Sequence, residues 1–182
     1  MMKHKILAFG ASSSRQSINK QFAAYVASQL DDVQINLIDL NDFEMPLFSV
    51  DKEADIGIPE LAHAFKRLIK DADGVIISLA EHNGSYSAAY KNIFDWVSRI
   101  EKEFWYDKPL LLLATSPGPR GGMRVLDHAS KAYGYANKSL VGSLSLPIFH
   151  KNFDVTKGIL NEGLAKELQE LLIKFHEKVL TT

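Results

Sequence analysis

Two stretches of the chain, GVIISLA (74–80) and PLLLLATS (109–116), are apolar almost throughout and lack the in-out alternation of a strand that faces water on one side. Such runs suit strands covered on both faces, and those belong to parallel sheets flanked by helices. Around them the period changes to that of helices: Phe22, Val26 and Leu30 share one helical face, and Leu61, Phe65, Leu68 and Ala72 share another. The segment 121–136 reads as a helix after a glycine-rich turn. Leu160, Leu164, Leu168, Leu171, Phe175 and Val179 close the chain with an amphipathic helix.

KILAFG (5–10), VQINLIDL (33–40) and the weaker KSLVGSLSL (138–146) supply three more strands. Five strands alternating with helices require crossovers, which are right-handed and lay helices on both faces of the sheet. The expected fold is α/β: a flavodoxin-like three-layer sandwich whose five-stranded parallel sheet has the order 2-1-3-4-5. The 182 residues suffice for one well-buried core, so residues 1–182 are expected to form a single domain. The segment 42–59 carries two prolines and no steady period, and reads as a surface connection that overhangs a site.

A net charge of -1 supplies no basic field for nucleic acid, and no apolar segment approaches the ~20 residues of a membrane span. The five-residue apolar run near the N-terminus is shorter than the apolar region of a signal peptide, so the expected location is cytoplasmic. With no cysteine, thiol catalysis and thiolate-bound metal are excluded. The six histidines show no paired ligand spacing, so no metal is assigned.

In sheets of this kind a ligand lies beyond the carboxyl ends of the strands, near the switch in strand order. The loops expected there read GASSSRQSIN (10–19), AEHNGSYS (80–87) and SPGPRGG (116–122). In the first, serines before a helix either only cap it and meet solvent, or join its open N–H groups in holding a phosphate. It matches neither a Walker A loop nor G-x-G-x-x-G, which disfavours a tightly bound nucleoside triphosphate or dinucleotide. The second is either a polar turn capped by Ser85 or a set of donors and acceptors for the edge of a planar heteroaromatic. The third is either a tight turn or backbone that lies close against a ligand.

Together these three loops resemble those of the NADPH-dependent FMN reductase family, whose members include bacterial chromate and quinone reductases and azobenzene reductases. GASSSRQSIN is similar to the family's phosphate loop with one residue more, and SPGPRGG to its third loop. AEHNGSYSAAYKNIFDWVSR (80–99) is similar to its Pro-Glu-Tyr-Asn-x-Ser helix motif, with Ala80 and His82 standing where proline and tyrosine are usual. The resemblance implies that Ser12, Ser14, Arg15, Ser17, Ile18 and Asn19 surround the phosphate of FMN. It places Glu81, His82, Asn83, Gly84 and Ser85 along the isoalloxazine, and Ser116, Gly118, Gly121 and Gly122 along its other edge.

The activity so implied is an FMN-dependent NAD(P)H oxidoreductase: NADPH or NADH gives hydride to FMN, leaves, and a small-molecule acceptor such as a quinone, flavin or azo compound follows in a ping-pong scheme. Hydride transfer between the two rings needs no protein base, so no catalytic residue is assigned and His82 is read as a contact. Arg120 or Arg124 could meet a 2′-phosphate or simply be solvated. The alternatives are a flavodoxin-type electron carrier, disfavoured by the weak charge, and a non-catalytic FMN-binding protein. In the helix expected over 87–104, Ala89, Ile93, Trp96 and Ile100 form one apolar stripe and Tyr90, Phe94 and Val97 a second. One stripe covers the sheet and the other is expected to need a partner, hence a homodimer or dimer of dimers.

Overall fold

A computed structural model describes residues 3–181. Five strands, β1 (His4–Ala11), β2 (Val33–Ile38), β3 (Gly74–Leu79), β4 (Leu110–Thr115) and β5 (Leu140–Leu146), pair in parallel in the order β2-β1-β3-β4-β5. The helices are α1 (Ile18–Ser28), α2 (Val50–Ile56), α3 (Glu60–Asp71), α4 (Ala88–Ser98), α5 (Met123–Ala136), the short α6 (Phe149–Asn152) and α7 (Glu162–Leu180). This is the flavodoxin-like order that the alternation of apolar runs predicts.

Every residue of β3 and β4 is buried, and successive side chains enter opposite layers. Ile76, Leu111 and Leu113 join Phe22, Val26, Leu172 and Phe175 on the α1/α7 side. Val75, Ile77 and Leu112 join Phe65, Ile69, Tyr90, Trp96 and Val125 on the α3/α4/α5 side. At the end of β1 the chain needs Gly10, because a Cβ there would lie 2.3 Å from the amide nitrogen of Lys20. This close crossing sets the first turn of α1 directly over the end of the strand.

Three expectations are corrected. The segment 42–59 is not wholly irregular: α2 forms inside it, started by Ser49, whose side chain accepts from the Lys52 amide, and stopped by Gly57 at φ 72. None of its residues is buried, so it carries no apolar stripe to read. Second, a β-hairpin precedes α4, pairing Glu81–His82 with Ser85–Tyr86, and the helix is capped by Ser87 rather than Ser85. Third, the helix expected over 87–104 ends at Ser98, and the stripe expected to stand in water is covered by the chain itself. Phe94 stacks on Phe104 at 4.3 Å and on Tyr133 at 5.7 Å. On the other flank Trp96 meets Phe48 edge-on at 5.0 Å and donates to the Pro46 carbonyl at 2.7 Å.

Candidate functional site

The loops after β1, β3 and β4 meet at the carboxyl edge of the sheet around a cleft of about 270 Å³. It lies at the switch in strand order, where β1 and β3 are neighbours and their following loops diverge. Of the residues expected there, Ser12, Ser14, Ser17, Ile18, Asn19, Glu81, His82 and Ser116 line it. Gln16, Ala80, Thr115 and Pro117 also line it and escaped the sequence reading.

The first loop owes its shape to its own serines. Ser12 Oγ accepts from the Ser14 amide at 3.1 Å, and Ser17 Oγ accepts from the Lys20 amide at 3.1 Å as the cap of α1. Each hydroxyl keeps its proton for another acceptor. The amides of Ile18 and Asn19 precede the first intrahelical bond and belong to the cleft wall. Arg15 is exposed and outside the lining. The ammonium of Lys20 is engaged by Asp39 at 2.6 Å, and that hydrogen bond, with the Asn41 amide, holds the Asp39 carboxyl below its ordinary value. The positive end of α1 is therefore the local attraction for an anion.

Asn19 does something other than what the resemblance implied for its side chain. It is 4% exposed. Its Nδ2 donates to the Thr115 carbonyl at 3.1 Å, while its Oδ1 accepts from Ser78 Oγ at 2.8 Å and from the Thr115 amide at 3.1 Å. Thr115 Oγ1 in turn donates to the Leu146 carbonyl at 2.6 Å. These contacts link α1 to the ends of β3, β4 and β5 as a buried polar floor. A serine inside the apolar run of β3 and a threonine closing that of β4 were the available signals, since buried polar side chains need partners. Ser87, likewise buried, donates to the Ala11 carbonyl at 2.8 Å and ties the first loop to the second.

The second loop turns away from the cleft after His82. Asn83 and Gly84 take φ of 53° and 79°, the paired left-handed turn for which Asn-Gly is the usual sequence signal. Asn83 and Ser85 are exposed, and Gly84 lies beneath the side chain of Arg124. In the third loop Gly121 and Gly122 are buried against Ser145, Pro147 and Ala114, outside the cleft lining. The Gly118 carbonyl accepts from the Ile148 amide at 3.0 Å, fastening this loop to the end of β5. The proposed contacts of these hairpin and glycine residues with a ring are thus not made through the lining of this cleft.

A larger cavity of about 450 Å³ lies beyond Ser13, walled by Leu40, Phe43, Met45, Leu47 and Ile93. Its Asn92 is engaged structurally, accepting from the Phe48 amide at 2.8 Å and donating to the carbonyls of Met45 and Pro46. With its apolar wall it lacks the serine-rich helix start of the smaller cleft, which is the better place for an anionic ligand. Among the described residues, no group of three His, Asp or Glu side chains could hold a metal ion, and no helix is long and apolar enough to cross a membrane.

Residues 4–151 match the sequence profile of the family described as NADPH-dependent FMN reductase. The chain belongs to that family. It is 33% identical over 178 residues to a 2-hydroxy-1,4-benzoquinone reductase of a Burkholderia species, covering 96% of this chain and 95% of that one. An NADPH azoreductase of a Bacillus species is 36% identical over 118 residues, covering 63% and 61% of the two chains. Among solved structures, a flavoenzyme NAD(P)H:(acceptor) oxidoreductase of Paracoccus denitrificans superposes with a TM-score of 0.74 at 22% identity, over 99% of this chain and 98% of that one. At that identity the superposition speaks for the fold. Family membership identifies the chain as an oxidoreductase and agrees with the resemblance carried by its three loops.

Proposed function

We propose that this protein is an FMN-dependent NAD(P)H oxidoreductase that reduces a small aromatic acceptor of the quinone or azo class in a ping-pong scheme. The observation that carries this is the cleft itself: a helix start with Ser12, Ser14 and Ser17 on one side, and the segments 80–82 and 115–117 on the other. The donor set fits a phosphate ester joined to a planar group. When bound, FMN supplies the two-electron carrier that hydride chemistry requires.

The residues have separable tasks. The amides of Ile18 and Asn19, with the hydroxyls of Ser12, Ser14 and Ser17, hold the phosphate through neutral donors and the dipole of α1. The segments 80–82 and 115–117 border the ring. The buried floor of Asn19, Ser78 and Thr115 keeps the three loops in register. Quinone and azo substrates of the relatives support this acceptor class, and a cytoplasmic setting would supply reduced nicotinamide.

A homodimer or dimer of dimers belongs to the same proposal. Its support now rests on Leu47 and Val50, 73% and 71% exposed in the connection after β2, rather than on α4. A concentration-independent monomer in sedimentation would remove that part. The decisive test of the function is the visible spectrum of the protein reconstituted with FMN, followed by bleaching with NADPH and with NADH. The expected result is a flavin spectrum that bleaches anaerobically and returns on adding a benzoquinone. A chain that takes up no FMN refutes the function.

A further inference from the structure

The start of α5 is closed by a residue from another loop. Its cap position is Gly122, which has no side chain, yet each amide of the first turn is satisfied. The Met123 amide donates to the Arg120 carbonyl at 2.9 Å and the Leu126 amide to the Gly122 carbonyl at 3.1 Å. The other two, of Arg124 and Val125, both donate to Oε2 of Glu81 at 3.0 and 3.2 Å. Glu81 is half-buried and lines the cleft, so the end of α5 stands directly behind the cleft wall. Its carboxylate is the negative cap that a helix start favours, delivered from 43 residues away.

Two consequences follow from this one carboxylate. It fastens the loop after β3 to the start of the helix after β4, bracing the wall at 80–82 beyond the last paired residues of β3 and β4, Leu79 and Ala114. It also sets a negative charge against the positive end of α5, so that α5, unlike α1, presents no uncompensated positive end to the cleft.

We propose that Glu81 is a positioning residue that sets both the width of the ring slot and its electrostatic balance, and so tunes how much more tightly the cleft holds reduced than oxidised FMN. This rests on the proposed function. Glu81 acts through the α5 amides rather than by contacting the reacting atoms with its carboxylate.

The two parts separate by substitution. Glu81→Gln keeps an acceptor oxygen for the amides but removes the charge. The positive end of α5 is then uncompensated, and an electron-rich ring is favoured. The expected result is an oxidised-FMN dissociation constant within about twofold of the parent, with relative affinity for the reduced form raised about fivefold. That corresponds to a midpoint potential about 20 mV more positive for a two-electron couple. Glu81→Ala removes acceptor and charge together. It is expected to accelerate amide hydrogen exchange at Arg124 and Val125 in the flavin-free protein and to weaken FMN binding about tenfold.

Faster exchange in Glu81→Ala, with parent potential and parent FMN affinity in both variants, would make Glu81 a helix cap alone and overturn the proposal. Unchanged exchange would overturn the clamp itself. A parent chain that takes up no FMN sinks the function and the flavin part of the proposal together, while the exchange measurement, made without flavin, still decides the clamp.

Discussion

Replacing Asn19 by alanine distinguishes a ligand from a floor. The substitution deletes three buried hydrogen bonds, two to the backbone of Thr115 and one from Ser78. At about 1 kcal/mol each they sum to about 3 kcal/mol, with an added penalty if the Thr115 groups stay dry and unpaired. For a chain of this size that is a fall in melting temperature of about 6–12 °C. Ser78→Ala removes one of the three bonds and leaves Oδ1 of Asn19 with the Thr115 amide, so it should cost about 1 kcal/mol, or about 2–4 °C. The assay is thermal and urea unfolding of the flavin-free protein, where phosphate contacts play no part. An Asn19→Ala protein that melts within about 1 °C of the parent without flavin, yet binds FMN much more weakly, would show that the side chain serves the phosphate and that the floor has been misjudged.

Other expectations concern the surroundings. Asp39→Asn should lower the urea midpoint at pH 7. Because the folded carboxyl is held below its ordinary value of about 3.9, its stabilisation is present above that pH and lost as pH falls through the lowered folded value, so the gap between parent and variant should shrink on acidification; a gap that widens would reverse the sign. Gly84→Ala places a Cβ at φ 79 and should cost about 1–2 kcal/mol in urea unfolding, whereas Asn83→Gly should be nearly neutral; equal costs would speak against the paired left-handed turn. Initial-rate kinetics with nicotinamide and quinone should give parallel double-reciprocal lines, and intersecting lines would require both substrates to be bound together.

Local pattern carried the framework well because burial leaves a periodic trace. The runs of β3 and β4 and the spacing of Phe65 and Ala72, both buried, are readable without a partner in view. The short α2 left no such trace, since no residue in it is buried, and only its ends, Ser49 and Gly57, hinted at it. The hairpin after β3 was written in Asn83 and Gly84, a pair passed over because the loop was read as a polar turn capped by Ser85 or as a row of ligand contacts. The roles of Asn19 and Glu81 are a different matter. Both stand in segments that the resemblance marked for the flavin, but their polar atoms are engaged by groups 43 to 96 residues away, a distance over which no local spacing speaks.

The buried floor beneath the cleft also bears on how such a site can diverge. Asn19, Ser78 and Thr115 answer one another across three elements, so a change at any one strands the others and is tolerated only with compensation. Ser13, Arg15, Gln16, His82 and Pro117 stand exposed at the margin and have no such obligations to the sheet. Selection for a new acceptor can therefore act on the margin while leaving the foundation alone, and a library confined to those five positions should yield folded variants that differ in substrate rather than in stability.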